Sequence, residues 1–150
     1  MQVFKSVWQH YAPTPETSWL LEQFRQMLND RIRIGLSENL TSLKSLSLKA
    51  YRQISRYDVA SHCKLCAISA ATGILRNYRK AKRKNPYVKE PYARRLRLTT
   101  CYGFKIRDGE LSLPIRAKEH VRISLNQHVQ ATINGFALRS ATHSRKIGYP

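Results

Sequence analysis

Residues 96–125 read LRLTTCYGFKIRDGELSLPIRAKEHVRISL, and their apolar side chains recur at alternate positions. A period of two is typical of a β-strand with one buried face. The pair Asp108-Gly109 lies between two such runs and predicts a tight hairpin, because both turn residues must tolerate a positive φ. The alternation continues through residues 129–133 to a second pair of this kind, Asn134-Gly135. Residues 96–150 are therefore predicted to form five or six short antiparallel strands, which favour a small barrel.

Upstream of this region, the apolar residues recur at intervals of three and four, as they do in helices. Thr14 is predicted to cap a first helix, with Pro15 at its first position and a stop at Gly35. A second helix is predicted around residues 47–56, and a third begins after Asp58 as its cap. Asn85-Pro86 ends the third helix, since proline disfavours helical structure at the preceding residue.

The alternating residues near the start of the chain, within residues 2–11, predict one isolated strand. An unpaired strand is marginally stable and exposes its backbone donors and acceptors, so we expect it to join the C-terminal sheet. The sequence thus predicts an α+β fold, a small antiparallel barrel interrupted by a three-helix insertion. The predicted divisions are a first barrel strand at 1–13, the helical insertion at 14–84, a basic linker at 85–95 and the remainder of the barrel at 96–150.

The charge of the chain is strongly positive and unevenly placed. Its 150 residues include 27 Lys+Arg against 9 Asp+Glu, a net charge of +18. Residues 76–97, named here the basic segment, hold ten of these cations and one acid, and so carry half of the net charge. Cations pair with phosphates, and the interleaved tyrosines offer rings on which bases stack. The predicted nucleic-acid-binding residues are Arg76, Tyr78, Arg79, Lys80, Lys82, Arg83, Lys84, Tyr87, Lys89, Tyr92, Arg94, Arg95 and Arg97.

Two other interpretations of the basic segment are a solvated helix end and attraction to a membrane surface. The sequence contains no apolar stretch long enough to span a bilayer and no secretory signal pattern at residues 1–11. Three cysteines fit a reducing compartment better than a disulfide framework. A cytoplasmic location is predicted.

Two constellations of residues invite a catalytic or metal-binding interpretation. His62, Cys63 and Cys66 form an HCxxC string, which is half of a zinc site, and both cysteines fall on the apolar stripe of the third helix, where packing is favoured. Asp108 and Glu110 flank a hairpin glycine, where aspartate suits the turn geometry. Neither forms a complete active site, so no catalytic residue, metal ion or cofactor is predicted.

The chain resembles the N-terminal part of TnpB (OrfB) proteins, the RNA-guided nucleases of small insertion sequences, and the archaeal members most closely. The resemblance is carried by the order of four stretches along the chain. These stretches are PTPETSWLLEQFRQMLNDRIRIGL at 13–36, CKLCAISAATGILRNYRKAKRKNP at 63–86, KEPYARRLRLTTCYGFKIRDGELSLPIRAKEHVRISLN at 89–126 and LRSATHSRKIGY at 138–149.

The resemblance implies a wedge barrel of the oligonucleotide-binding type, interrupted by a helical recognition domain that holds guide RNA. It implies that residues 76–84 contact guide RNA or the backbone of the heteroduplex. It also makes Ser61, Lys64 and Thr72, on an exposed face of the third helix, further candidates for contact with target DNA. The nuclease carboxylates and zinc ribbon of such proteins lie downstream, so no catalytic residue is carried over.

The expected function is that of a catalytically incomplete nucleic-acid-binding module of a mobile element, with structured RNA and also DNA as its partners. One alternative is the first half of a split RNA-guided DNA endonuclease, completed by a separately encoded nuclease half. Another is a basic structural RNA-binding relic, which would bind any polyanion without regard to shape.

Overall fold

The computed structural model describes residues 5–100, 103–134, 138 and 140–145. These residues form four helices and two small antiparallel sheets, an α+β arrangement. The elements are, in chain order, α1 (Pro15–Ser37), α2 (Leu43–Ile54), α3 (Ser61–Lys84), β1 (Leu96–Thr100), β2 (Lys105–Arg107), β3 (Glu110–Arg116), β4 (Glu119–Ser124), α4 (Gln127–Ile133) and β5 (Ala141–Arg145).

The first helix begins where the sequence predicts and ends slightly later. The hydroxyl oxygen of Thr14 accepts a 3.2 Å hydrogen bond from the Thr17 backbone N–H, and Pro15 occupies the first turn. The predicted stop at Gly35 is wrong, because α1 continues to Ser37. A Cβ atom at Gly35 would lie 2.1 Å from Cδ1 of Leu75, so the missing side chain lets α3 approach α1 closely.

The starts of the next two helices also differ from the predictions. Helix α2 begins at Leu43, earlier than residue 47, because Ser42 caps it by accepting a 3.1 Å bond from the Ser45 backbone N–H. Helix α3 begins after Ala60, so the prediction that Asp58 caps it is wrong. The Asp58 carboxylate instead lies 3.0 Å from Nε of Arg116. The predicted end of α3 before Asn85-Pro86 is confirmed.

The strands form two sheets that are each antiparallel. Strand β1 pairs with β5, and β2, β3 and β4 form a meander. The tight turn at Asp108-Gly109 is confirmed, with φ values of 52° and 74°. The alternation predicted for β3 is also confirmed, because Leu111, Leu113 and Ile115 are buried between half-buried neighbours.

The strand predicted at residues 129–133 is wrong, because this stretch belongs to α4. Asn126 caps the helix by accepting a 2.8 Å hydrogen bond from the Val129 backbone N–H. The hairpin predicted at Asn134-Gly135 is preceded by a helix and not by a strand, and Gly135 lies outside the described residues.

The described part of the N-terminal segment does not pair as a strand. Residues 5–14 have no regular secondary structure, and residues 1–4 lie outside the described range. The Gln9 side chain donates a 2.7 Å hydrogen bond to the Ser124 carbonyl and accepts a 2.8 Å bond from the Asn126 N–H. A glutamine amide therefore connects the segment to the end of β4. Within the residues that the structure describes, the two sheets do not close into a barrel.

Helices and strands share a hydrophobic core. Phe24 and Met27 of α1 and Leu75 of α3 belong to the same buried cluster as Leu98 of β1 and Leu113 of β3. Helix α1 contacts α2, α3, β1 and β5 and lies at the centre of this cluster. The basic segment consequently begins just after the buried Leu75 of α3 and ends just before the buried Leu98 of β1, and within it Ala93 and Leu96 pack against the core.

Candidate nucleic-acid interface

The C-terminal part of α3 extends past the core. Leu75 is buried, whereas none of the residues from Arg76 to Lys84 is. Arg76, Arg79, Lys80 and Arg83 recur at intervals of three and four residues, so they share one face of the helix. All four side chains are exposed, and they form a cationic stripe about two turns long.

Two hydrogen bonds hold this part of α3 against the segment that precedes α2. Nε of Arg76 donates to the Thr41 carbonyl at 3.0 Å, and Nη1 of Arg79 donates to the Thr41 hydroxyl at 3.3 Å. A guanidinium has five N–H donors, so each arginine keeps donors that can meet a phosphate. Because Thr41 is uncharged, these contacts fix the helix without neutralising its charge.

After α3, the chain turns and lies across α1. The Asn85 side chain accepts a 3.0 Å hydrogen bond from the Tyr87 N–H, which shapes the turn. Farther on, Asn29 of α1 forms a reciprocal pair with the backbone of Ala93. Its Nδ2 donates to the Ala93 carbonyl at 3.0 Å, and its Oδ1 accepts from the Ala93 N–H at 2.7 Å. This pair fixes the position of the chain between Tyr92 and Arg94.

An open groove of about 440 Å³ lies between α1, α3 and the chain from Tyr92 to Thr99. Its floor is apolar and includes the buried Phe24 and Leu28 of α1 and the half-buried Ala70 of α3. Its other lining residues are Tyr92, Ala93, Arg94, Arg95, Arg97 and Thr99. The groove therefore combines an apolar floor with three arginine residues along its wall.

The positive charge of the basic segment is not compensated by neighbouring acids. All ten of its cationic side chains are exposed, and none lies within ion-pair distance of a carboxylate in the part of the chain that the structure describes. Elsewhere such pairs do form, for example between Arg25 and Glu22 at 2.6 Å. An unpaired cationic surface of this kind attracts polyanions.

The three tyrosines of the segment differ in exposure. Tyr87 is 91% exposed and Tyr92 is 64% exposed, so both rings are available for stacking. Tyr78 is half-buried, and Nζ of Lys82 lies 5.5 Å from its ring centroid in a cation–π contact. One face of the Tyr78 ring is therefore already engaged within the protein.

The residues suggested for contact with DNA are not brought together on one exposed face. Ser61 is exposed and Lys64 is half-buried. The placement of Thr72 on an exposed face is wrong, because this residue is 4% exposed and its hydroxyl donates a 2.9 Å bond to the Ile68 carbonyl. Thr72 supports the packing of α3 and does not present a polar group to a partner.

The predicted packing role of the cysteines is confirmed. Cys63 and Cys66 are both buried, and burial raises the pKa of the Cys63 thiol to about 12. His62 is half-buried beside them, with Nε2 3.4 Å from Sγ of Cys63. Within residues 5–100, 103–134, 138 and 140–145, no three His, Cys, Asp or Glu side chains cluster in a way that would hold a metal ion.

Sequence reasoning found the cations and tyrosines but missed the residues that arrange them. Asn29 falls on the polar side of the periodic pattern of α1, so nothing in the sequence marked it as buried. Phe24 belongs to the buried core, and the apolar groove floor to which it also contributes exists only because residues 92–99 lie across α1.

Among the helices that the structure describes, none is long and apolar enough to cross a membrane. No protein-family model, no curated protein and no solved structure matches the chain.

Proposed function

We propose that this chain is a nucleic-acid-binding module that binds structured RNA through its basic segment and does not itself cut nucleic acid. The observation that carries the proposal is the set of ten exposed cations in residues 76–97, none of which pairs with a carboxylate in the described structure. Phosphate groups are the partners that such a surface accepts, and their binding releases counterions.

A solvated helix end explains this arrangement less well. Basic residues in the last turn of α3, namely Lys82, Arg83 and Lys84, complement the negative end of the helix dipole. That effect falls off within one turn, so it does not account for Arg76 and Arg79 or for the cations beyond residue 85. A membrane surface also attracts cations, but the exposed rings of Tyr87 and Tyr92 beside them favour a partner with bases to stack.

The more specific part of the proposal rests on the sequence resemblance to TnpB proteins. We propose that the RNA is a folded guide-type RNA, that DNA is a further partner and that the strands belong to a barrel of the oligonucleotide-binding type. In RNA-guided effectors, base pairing supplies sequence recognition and the protein holds the duplex by its shape and backbone. We therefore expect low intrinsic sequence preference, because phosphate contacts carry no sequence information.

The test compares the affinity of the purified chain for the structured RNA of its own locus, for scrambled RNA and for duplex DNA, at 50 and 200 mM salt. Structured RNA should bind at least about tenfold tighter than scrambled RNA, a difference of about 1.4 kcal/mol. Neutralising Arg79, Lys80, Arg83 and Lys84 together to glutamine should reduce the slope of log affinity against log salt by about 3 to 4.

A matched control variant removes the same charge elsewhere. Lys5, Lys44, Arg52 and Lys105 are four exposed cations outside the basic segment. Their replacement by glutamine should leave most of the salt slope intact if the contacts are local. Equal slopes in the two variants would contradict the proposed interface. Equal affinity for all three nucleic acids would favour the basic relic, and guided cleavage on adding a separately encoded nuclease half would favour the split endonuclease.

A further inference from the structure

We propose that the groove between α1, α3 and residues 92–99 receives one unpaired nucleotide of the bound RNA. The base lies on the apolar floor against Tyr92, and the flanking phosphates contact Arg94, Arg95 and Arg97. This inference rests on the proposed function and adds a preference for RNA that contains an unstacked base.

The size and floor of the groove fit a flat aromatic group. Its volume of about 440 Å³ falls within the range of small-ligand sites. Phe24 and Leu28 are buried, yet both contribute to this surface, so the floor is held by the core. A base inside a helix has both faces covered by its neighbours, whereas an unpaired base in a loop or bulge has a face free to stack.

Tyr92 supplies an aromatic ring at the groove. It is 64% exposed although it lines the groove, so one part of the side chain contacts the protein and the rest is open to solvent. Stacking on such a ring is tolerant of sequence because every base has a π face. This property agrees with the low sequence preference expected for the basic segment.

The arginines determine which kind of ligand the groove accepts. Arg94, Arg95 and Arg97 line it, and none of them pairs with an acid among the described residues. A planar guanidinium meets a phosphate through two parallel hydrogen bonds. The positive charge of these residues disfavours cationic ligands and complements a nucleotide that carries a phosphate on either side.

The groove wall is held in place before any ligand binds. The Asn29 side chain forms hydrogen bonds with both the N–H and the carbonyl of Ala93, which lies between Tyr92 and Arg94. Arg97 and Thr99 line the groove from β1, while Leu98 between them is fully buried in the core. Such prior ordering reduces the conformational entropy lost on binding. Asn29 is thus a positioning residue.

The experiment uses the full chain and two RNA hairpins of the same stem, one fully paired and one with a single bulged 2-aminopurine nucleotide. The bulged hairpin should bind roughly tenfold tighter to the unaltered protein, as expected for one base stacked on an aromatic ring. The 2-aminopurine emission, which responds to stacking, should change on binding. Tyr92→Ala should abolish both the preference and the change in emission.

Tyr51→Ala is the matched control, because Tyr51 of α2 is 74% exposed, lies outside the basic segment and does not line the groove. This variant should keep both properties. Ala70→Leu should also reduce the preference by filling the floor, with thermal melting confirming that the variant is folded.

Equal binding of the two hairpins by the unaltered protein, or a preference that survives Tyr92→Ala, would overturn the groove assignment. In that case the proposed function would still be supported by salt-dependent RNA binding that weakens when the α3 cations are neutralised. Failure of the groove and failure of the proposed function are therefore distinguishable.

Discussion

Asn29 uses both ends of its amide to hold a part of the chain 64 residues away. The residue is 9% exposed, so neither hydrogen bond is readily replaced by water. A buried donor or acceptor that loses its partner still carries the free-energy cost of its desolvation. Removing one member of such a pair therefore destabilises a protein more than replacing both members by apolar groups.

Asn29→Ala should lower the free energy of unfolding by about 1–3 kcal/mol, because the Ala93 N–H and carbonyl are left without their partners. Urea denaturation of the variant and the unaltered protein measures this difference. Asn77→Ala is a suitable control, since Asn77 is exposed on α3, and it should change the stability by less than about 0.5 kcal/mol. Similar values for the two variants would show that the reciprocal pair adds nothing to stability.

His62 links stability to pH. Burial lowers its pKa in the folded protein, so the unfolded chain binds the proton more readily. The stability contributed by neutral His62 is present above the unfolded pKa of about 6.5 and is lost as the pH falls through the lower folded value.

His62→Gln should therefore flatten the decline in stability between about pH 6.5 and pH 5. Denaturation midpoints collected across this range for both proteins provide the measurement. His128→Gln, at an exposed histidine, should retain the decline of the unaltered protein. A profile for His62→Gln that superimposes on that of the unaltered protein would assign the pH dependence to other groups.

At the scale of elements, the sequence correctly predicts the helix starts and the turns that depend only on neighbouring residues. The Thr14 cap and the Asp108-Gly109 turn are both of this kind. The mistaken strand at residues 129–133 has a physical cause, because Val129 and Ile133 satisfy a period of two and also a spacing of four. Asn126, as a cap three residues before Val129, is the signal that decides for a helix.

Gly35 and Gly73, the two helical glycines among the described residues, differ in their surroundings and so provide a matched pair. Gly35→Ala should destabilise the protein by about 1–3 kcal/mol, because its new methyl group would meet the buried Leu75. Gly73 is exposed on α3, and a Cβ there meets no described atom within 4 Å. Gly73→Ala should therefore stabilise the protein by up to about 1 kcal/mol through helix propensity.

Chemical denaturation of the two glycine variants provides the comparison. If Gly35→Ala is as stable as Gly73→Ala, then Leu75 moves aside with no loss of folding free energy. The close packing of α1 and α3 would in that case tolerate a methyl group at residue 35.

At the scale of the whole molecule, the α+β class could be predicted because the change of period near residue 96 is a local property. The arrangement of the two sheets could not, because β1 pairs with β5 over a sequence separation of 41 residues even between their nearest registered partners, Thr100 and Ala141. The groove also depends on long-range placement. Its cations were visible in the sequence, whereas the apolar floor requires that residues 92–97 cross α1.

The net charge of +18 predicts a particular response to salt. Like charges on a compact surface repel one another, and salt screens that repulsion, so the melting temperature of the free protein should rise between 50 and 300 mM NaCl. The same salt should weaken the proposed binding of RNA. Calorimetry of the free protein measures the first effect, and replacing the four α3 cations with glutamine should make the rise smaller. A melting temperature that is independent of salt would show that the repulsion is negligible.

Helix α3 is continuous over 24 residues, which corresponds to a length of about 36 Å. The helix packs in the core as far as Leu75, while its basic end extends beyond the core and is held by the hydrogen bond from Arg76 to Thr41. In mechanical terms, α3 is a rod that is fixed in the core at one end and projects from it at the other. Force applied at the projecting end, as by the RNA proposed to bind there, would be transmitted along a stiff helix to the contact between Leu75 and Gly35, so the interior of the protein would bear the load.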